Sequence, residues 1–133
     1  LTVSIFMIYS LCVTANPLAP AHFTAIQFCQ ALITKGHQIN QVFFYQDAVN
    51  IGSMLLSPAQ DEFQTQQAWL ELQNQGVNLS ICIAAAIRRG VLDENEAKRY
   101  EKDSFNLHPD FIITGLGEFI SLSEQADKQV CFG

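Results

Sequence analysis

The stretch Asn78-Leu79-Ser80-Ile81-Cys82-Ile83-Ala84-Ala85-Ala86-Ile87-Arg88-Arg89-Gly90 decides how the rest of the chain is read. Its first half, Asn78 to Ile83, is a compact apolar run of strand length. Its second half is an alanine-rich turn or two of helix, closed by two arginines and a glycine. Cys82 stands at the changeover. A thiol there faces the free backbone N–H groups and positive dipole end of the following helix, an environment that favours thiolate chemistry. Arg88 and Arg89 lie at the other end, roughly 9 Å away at ~1.5 Å rise per residue. They suit the helix C-terminus and Gly90 suits the C′ position, so neither arginine is expected to touch the sulfur. The plain alternative is a cysteine buried at a strand end, with no chemistry.

Strands and helices alternate on either side of this stretch. Thr2 to Tyr9 is β-branched and aromatic with no polar periodicity, which predicts a strand buried on both faces. Ser10 to Pro20, with Asn16-Pro17 inside it, reads as loop. Ala25, Phe28, Cys29 and Leu32 fall at helical spacing between Ala21 and Lys35, and Gly36 supplies a stop. Ile39 to Tyr45 is a second strand, and Asp47 to Ser57 reads as loop. Ser57-Pro58-Ala59-Gln60 has the form of a capping box, with Asp61 and Gln64 as a rival start. Either start gives a helix to about Gln75 that buries Phe63, Trp69, Leu70 and Leu72. Beyond the opening stretch, Asp93 with Glu96 caps a polar helix from Glu94 to about Lys102. Phe111 to Thr114 is a fourth strand, and Gly115-Leu116-Gly117 leads into a helix to about Ala126. That GxG is better read as turn geometry than as a phosphate cradle. Lys128 to Phe132 is a fifth strand, with Cys131 expected in the core beside the structural Cys29.

This pattern predicts an α/β fold: a single three-layer domain over residues 1–133, with a five-stranded, mainly parallel sheet and helices on both faces. Right-handed crossovers with one reversal suggest the strand order 2-1-3-4-5. In that order the carboxyl ends of strands 1 and 3 are neighbours, bringing Cys82 beside the Ser10 to His22 segment and raising the question of a Cys12–Cys82 contact.

Composition narrows the function. The 133 residues are 49% apolar and only 15% charged, which suits a packed core and an apolar interface rather than disorder. A formal net charge of −6, without any basic run, argues against direct nucleic-acid binding. Cys12, Cys29, Cys82 and Cys131 are widely spaced, with no CxxC, and His22, His37 and His108 are equally scattered. No metal site is expected from such spacing, and free thiols suit a cytoplasmic protein. The apolar run Val3 to Ala15 lacks a basic n-region and is too short to span a bilayer, so no membrane segment is expected.

Several segments together resemble the DsrE-like sulfurtransferase family. They are Phe23 to Ile33 with Gly36-His37, Val42-Phe43-Phe44-Tyr45, Ser57-Pro58-Ala59 with Asp61-Glu62-Phe63, and Ala68-Trp69. The run Cys82 to Val91 with Asp93-Glu94, and Gly115-Leu116-Gly117, complete the likeness along nearly the whole chain. The resemblance implies a sulfurtransferase that carries sulfane sulfur as a persulfide on Cys82 and needs no cofactor. It also implies two related small subunits, TusB-like and TusC-like, in a heterohexamer. A TusA-like donor and a TusE-like acceptor would form a relay serving 2-thiolation of the tRNA wobble uridine. The loop after strand 1 departs from the family, reading Ser10 to Pro17 where glycine is usual, and it introduces Cys12.

Three other readings compete. One keeps the chemistry in a DsrE-type subunit of dissimilatory sulfur oxidation. Another is a non-catalytic module binding a nucleotide, flavin or other small ligand, disfavoured by the absence of a Gly-rich turn after strand 1. The third is a structural subunit with Cys82 inert.

Overall fold

The computed structural model describes residues 5–133. Its strands are β1 (Ile8–Val13), β2 (Gln38–Phe44), β3 (Leu79–Cys82), β4 (Ile112–Thr114) and β5 (Lys128–Phe132). Its α-helices are α1 (Pro20–Thr34), α2 (Thr65–Asn74), α3 (Ile83–Arg88), α4 (Glu94–Arg99) and α5 (Leu116–Gln125), with a 3-10 segment at Gln46–Gly52. The strands form one all-parallel sheet in the order β4-β3-β2-β1-β5. The expected α/β class, five parallel strands and alternation with helices are therefore present.

The expected order 2-1-3-4-5 is not. The first three crossovers each step onto the next strand in the same direction, so β2 lies between β1 and β3. The single reversal comes last, when α5 carries the chain back across the sheet to place β5 on the free side of β1. Length and burial account for this arrangement. β1 and β2, with six and seven residues, are the longest strands and take the two central-side positions that bury their apolar runs. Three-residue β4 and partly exposed β5 take the edges, where unpaired backbone meets water. Right-handed crossovers then put α1, α2, α3 and α4 on one face and leave α5 to cover the other.

β1 also begins later than expected. The Thr2 to Ser4 part of that expectation lies outside the described residues, and the strand runs through Ser10 to Val13, a stretch that reads as loop in the sequence. Ser10 is fully buried yet satisfied, because its Oγ accepts a 2.7 Å hydrogen bond from Gln41 Nε2. The same amide donates to the Phe119 carbonyl of α5 at 3.1 Å. A polar residue that normally punctuates a strand is thus absorbed into a buried network.

The segment before α2 differs too. Ser57 Oγ donates to the Leu55 carbonyl, and Gln64 Nε2 donates to the carbonyls of Ala59 and Glu62. These side chains serve local turns instead of capping a helix, so α2 starts only at Thr65. Trp69 and Leu72 are buried as expected, but Phe63 stays 46% exposed, edge-on to Phe23. Helix α4 does have its cap: Asp93 Oδ1 accepts from the Glu96 N–H at 2.8 Å. It ends at Arg99, short of Lys102.

On the four-helix face, the core is knotted by His22, Phe44 and Trp69, all buried. Trp69 Nε1 donates to His22 Nδ1 at 3.0 Å, and His22 Nε2 lies 2.8 Å from the Ala15 carbonyl. An indole can only donate and a carbonyl can only accept, so the imidazole is neutral with its proton on Nε2. Burial lowers the His22 pKa from its ordinary value, against a smaller raising effect of the Ala15 carbonyl. Below about pH 6.5 the unfolded chain therefore binds a proton that the folded chain refuses. The stability contributed by neutral His22 is complete above that pH and is lost as pH falls through it toward the folded value. Urea midpoints should drop on acidification from about pH 7.5 to 5.5, with a shallower drop in a His22→Gln chain. Equal slopes in the two chains would contradict this arrangement.

Candidate functional site

The face on which Cys82 lies follows from the strand ladder. The Phe43 ring stacks on Phe119 of α5 at 4.4 Å, so Phe43 points to the α5 face. Phe43 is in register with Ser80, and Ser80 with Ile112. Cys82 lies two residues beyond Ser80 and so shares that face, directly beside Thr114. It closes β3 in extended conformation (φ −65°, ψ 118°) and caps α3 without a side-chain capping bond. The residue is 2% exposed. The Thr114 Oγ1 is buried, with no hydrogen-bond partner among the described residues.

Cys82 is held from behind by its neighbours. Ala85 and Ala86 are buried, and these small residues let α3 approach the 3-10 segment closely. A Cβ added at Gly52 would meet Leu107 Cδ1 at 2.7 Å and Ile81 Cδ1 at 3.2 Å, so a side chain there would push those two side chains aside behind β3. Arg89 turns away from the sulfur, as expected for its end of the helix. Its Nε pairs with Asp47 Oδ1 at 2.8 Å, and its Nη1 donates to the Ala85 carbonyl at 3.1 Å. Gly90 adopts φ 75°, the left-handed conformation that ends α3.

The remaining cysteines separate into different environments. Cys29 is wholly buried in α1, and burial pushes its thiol up to about 12, which fits the packing role expected of it. Cys12 is also buried, and its thiol is pushed up to about 12, first by burial and then by the charge and hydrogen bond of Cys131. Cys131 is exposed, not in the core, because β5 is an edge strand. Cys12 and Cys82 do not meet. They are two strands apart and two residues out of register, which places their Cα atoms about 12 Å from one another at ~4.8 Å per strand and ~3.3 Å per residue. A disulfide needs roughly 7 Å or less.

Native alkylation should reveal this order. Cys131 is exposed, whereas Cys12 and Cys29 are shielded by burial that also pushes their thiols up to about 12, where little thiolate forms. With iodoacetamide at about pH 8, Cys131 should label first and Cys12 and Cys29 last. Early labelling of Cys29 in the folded chain would contradict the packing assignment.

Neither His22 nor the Gly115-Leu116-Gly117 turn joins the site. Both ring nitrogens of His22 are engaged by Trp69 and Ala15, so it offers no group to Cys82. A Cβ at Gly115 or Gly117 would meet nothing within 4 Å, so the GxG forms a turn and not a close cradle. Among the described residues, no group of three His, Cys, Asp or Glu side chains converges to hold a metal, and no helix is long and apolar enough to cross a membrane. Two features of the site escape sequence reasoning: the Thr114 hydroxyl and the Asp47–Arg89 pair. Both depend on which strands and segments become neighbours. Ile112 shares the Cys82 face and is 50% exposed, while Leu116 and Ile120 of α5 are 46% and 54% exposed. No residue of α5 is buried.

The DsrE/DsrF-like family model matches residues 7–132. A sulfurtransferase named TusD from Salmonella dublin is 46% identical over 110 residues, covering 82% of this chain and 86% of its own length. DsrE of Allochromatium vinosum, also given a sulfurtransferase name, is 46% identical over 111 residues, covering 83% and 85%. Among solved structures, the ychN protein from E. coli superposes with a TM-score of 0.77 at 20% identity, over 95% of this chain and 99% of that one. That last likeness speaks for the fold.

Proposed function

Because the chain belongs to the DsrE/DsrF-like family and is a sulfurtransferase by that kinship, we propose that Cys82 is its sulfur-carrying residue and that it works in a protein-to-protein relay. The observation that supports this most is the position of Cys82 at the carboxyl end of β3, beside an unpartnered hydroxyl. The Cys82 sulfur attacks the outer sulfur of a donor persulfide. The donor's S–S bond breaks, the donor leaves as a thiol, and Cys82 holds the sulfur as Cys82–S–SH. An acceptor thiolate then attacks that outer sulfur and releases Cys82 unchanged, so no net oxidation or reduction occurs. The Thr114 O–H would gain an acceptor in the outer sulfur, a bond it lacks in the unloaded chain.

The low exposure of Cys82 gives docking a role in this account. A partner's thiol must reach a nearly buried sulfur on the sheet face that α5 also packs against, where Ile112 is exposed and α5 exposes Leu116 and Ile120. These residues suit burial in the assembly expected with TusB-like and TusC-like subunits. On this reading the donor is TusA-like and the acceptor TusE-like, among reduced thiols in the cytoplasm, and the sulfur ends in 2-thiolation of the tRNA wobble uridine. The equal 46% identity to TusD and to DsrE favours one second reading, the same carrier chemistry in dissimilatory sulfur oxidation.

Radiolabelled sulfur on a TusA-like carrier, mixed with this chain, TusB-like and TusC-like subunits and a TusE-like acceptor, tests the relay. Label should pass through this chain to the acceptor, and omission of the chain should stop it. Equal transfer without the chain would contradict the proposal.

A further inference from the structure

Cys12 and Cys131 are in-register neighbours on β1 and β5, with their side chains on the same face of the sheet. Neighbouring parallel strands hold such Cα atoms about 4.8 Å apart, inside the roughly 4.4–6.8 Å that a disulfide requires. The surroundings of the two thiols are unequal: Cys131 is exposed on the edge strand, whereas Cys12 is 6% exposed behind it. β5 is paired on one side only, so the small shift that brings two sulfurs to bonding distance disturbs a single ladder.

We propose that Cys12 and Cys131 form a second thiol site, in which Cys131 takes up sulfane sulfur from small polysulfides and Cys12 resolves it with release of sulfide. In the first step the Cys131 thiolate attacks a sulfane sulfur of inorganic polysulfide, the polysulfide S–S bond breaks, and the shortened polysulfide leaves with the electron pair. Cys131 then carries S–SH. In the second step the Cys12 sulfur attacks Cys131 Sγ, the bond to the outer sulfur breaks, and that sulfur leaves as hydrosulfide, taking up the Cys12 proton. The two cysteines are oxidised to a disulfide and the sulfane sulfur is reduced to sulfide, so each chain turns over once until a dithiol restores it.

This site is separate from Cys82. Cys131 and Cys82 are three strands apart and two residues out of register, about 16 Å between Cα atoms. An added sulfur extends a side chain by only about 2 Å, so sulfur reaches Cys131 from solution and not from Cys82. The inference therefore does not rest on the role proposed for Cys82.

The test uses the full-length Cys82→Ser chain with inorganic polysulfide. Expected results are one equivalent of sulfide per chain and a linked Cys12–Cys131 peptide in non-reducing mapping, with continuous release when dithiothreitol is added. Adding Cys131→Ser should reduce sulfide release to that of polysulfide alone. Adding Cys12→Ala instead should leave the extra sulfur mass trapped on Cys131. Absence of the linked peptide in the Cys82→Ser chain, which needs neither further variant to fold, would overturn the proposal. So would undiminished sulfide release in the folded Cys131→Ser chain.

Discussion

A chain carrying Cys82→Ser is expected to keep its fold and to transfer no sulfur. Serine is nearly the same shape, and the Cys82 side chain makes no capping bond to lose. The cost of burying its hydroxyl should stay on the order of 1 kcal/mol. Transfer, by contrast, depends on a sulfur able to form and break an S–S bond, and oxygen offers no equivalent at neutral pH. The loss should therefore be complete in the label-transfer mixture, with no change in the unfolding midpoint beyond that small cost. A Ser chain that passes sulfur to the acceptor at the parental rate would remove Cys82 from the mechanism.

Trp69→Ala is expected to be the most damaging single change to the fold. Trp69 has no exposed surface and packs edge-on against Phe44, with ring centroids 5.0 Å apart. Removing a buried Trp typically costs about 3–5 kcal/mol, against a total stability of roughly 5–15 kcal/mol. The same change strips His22 Nδ1 of its donor, leaving a buried nitrogen unpaired. Trp69→Phe retains most of the volume and loses the hydrogen bond, so it should cost about 1–3 kcal/mol. Urea unfolding of the three chains measures both effects. A Trp69→Ala cost below about 1 kcal/mol would mean that the knot does not carry the core.

How far these features could be read in the sequence depends on their range. Gly90 ending α3, Asp93 capping α4 and the bounds of β5 are all local signals, and each stands where the residues place it. Cys82 at the junction of β3 and α3 is legible for the same reason. Strand order is different, because nothing near β5 in sequence says which free edge it will join. Placing β2 between β1 and β3 separates Cys12 from Cys82 by a whole strand, and placing β5 on the free side of β1 pairs Cys12 with Cys131. The same edge position exposes Cys131, although the strand itself is legible in the sequence. Ser10 and Ser57 mislead in opposite ways: one hydroxyl is satisfied inside a strand by the distant Gln41, and the other is taken by a local turn. The Thr114 hydroxyl becomes visible as a neighbour of Cys82 only once β3 and β4 are in register.

The central claim is that sulfur destined for transfer resides on Cys82. Its most direct test is intact-mass spectrometry of the parental chain, mixed with TusB-like and TusC-like subunits and exposed to a persulfidated TusA-like carrier, followed by peptide mapping. The account predicts one added sulfur atom, on the peptide containing Cys82, which disappears when the TusE-like acceptor is supplied. Transferable sulfur found on Cys12, Cys29 or Cys131, with the Cys82 peptide unmodified, would contradict it.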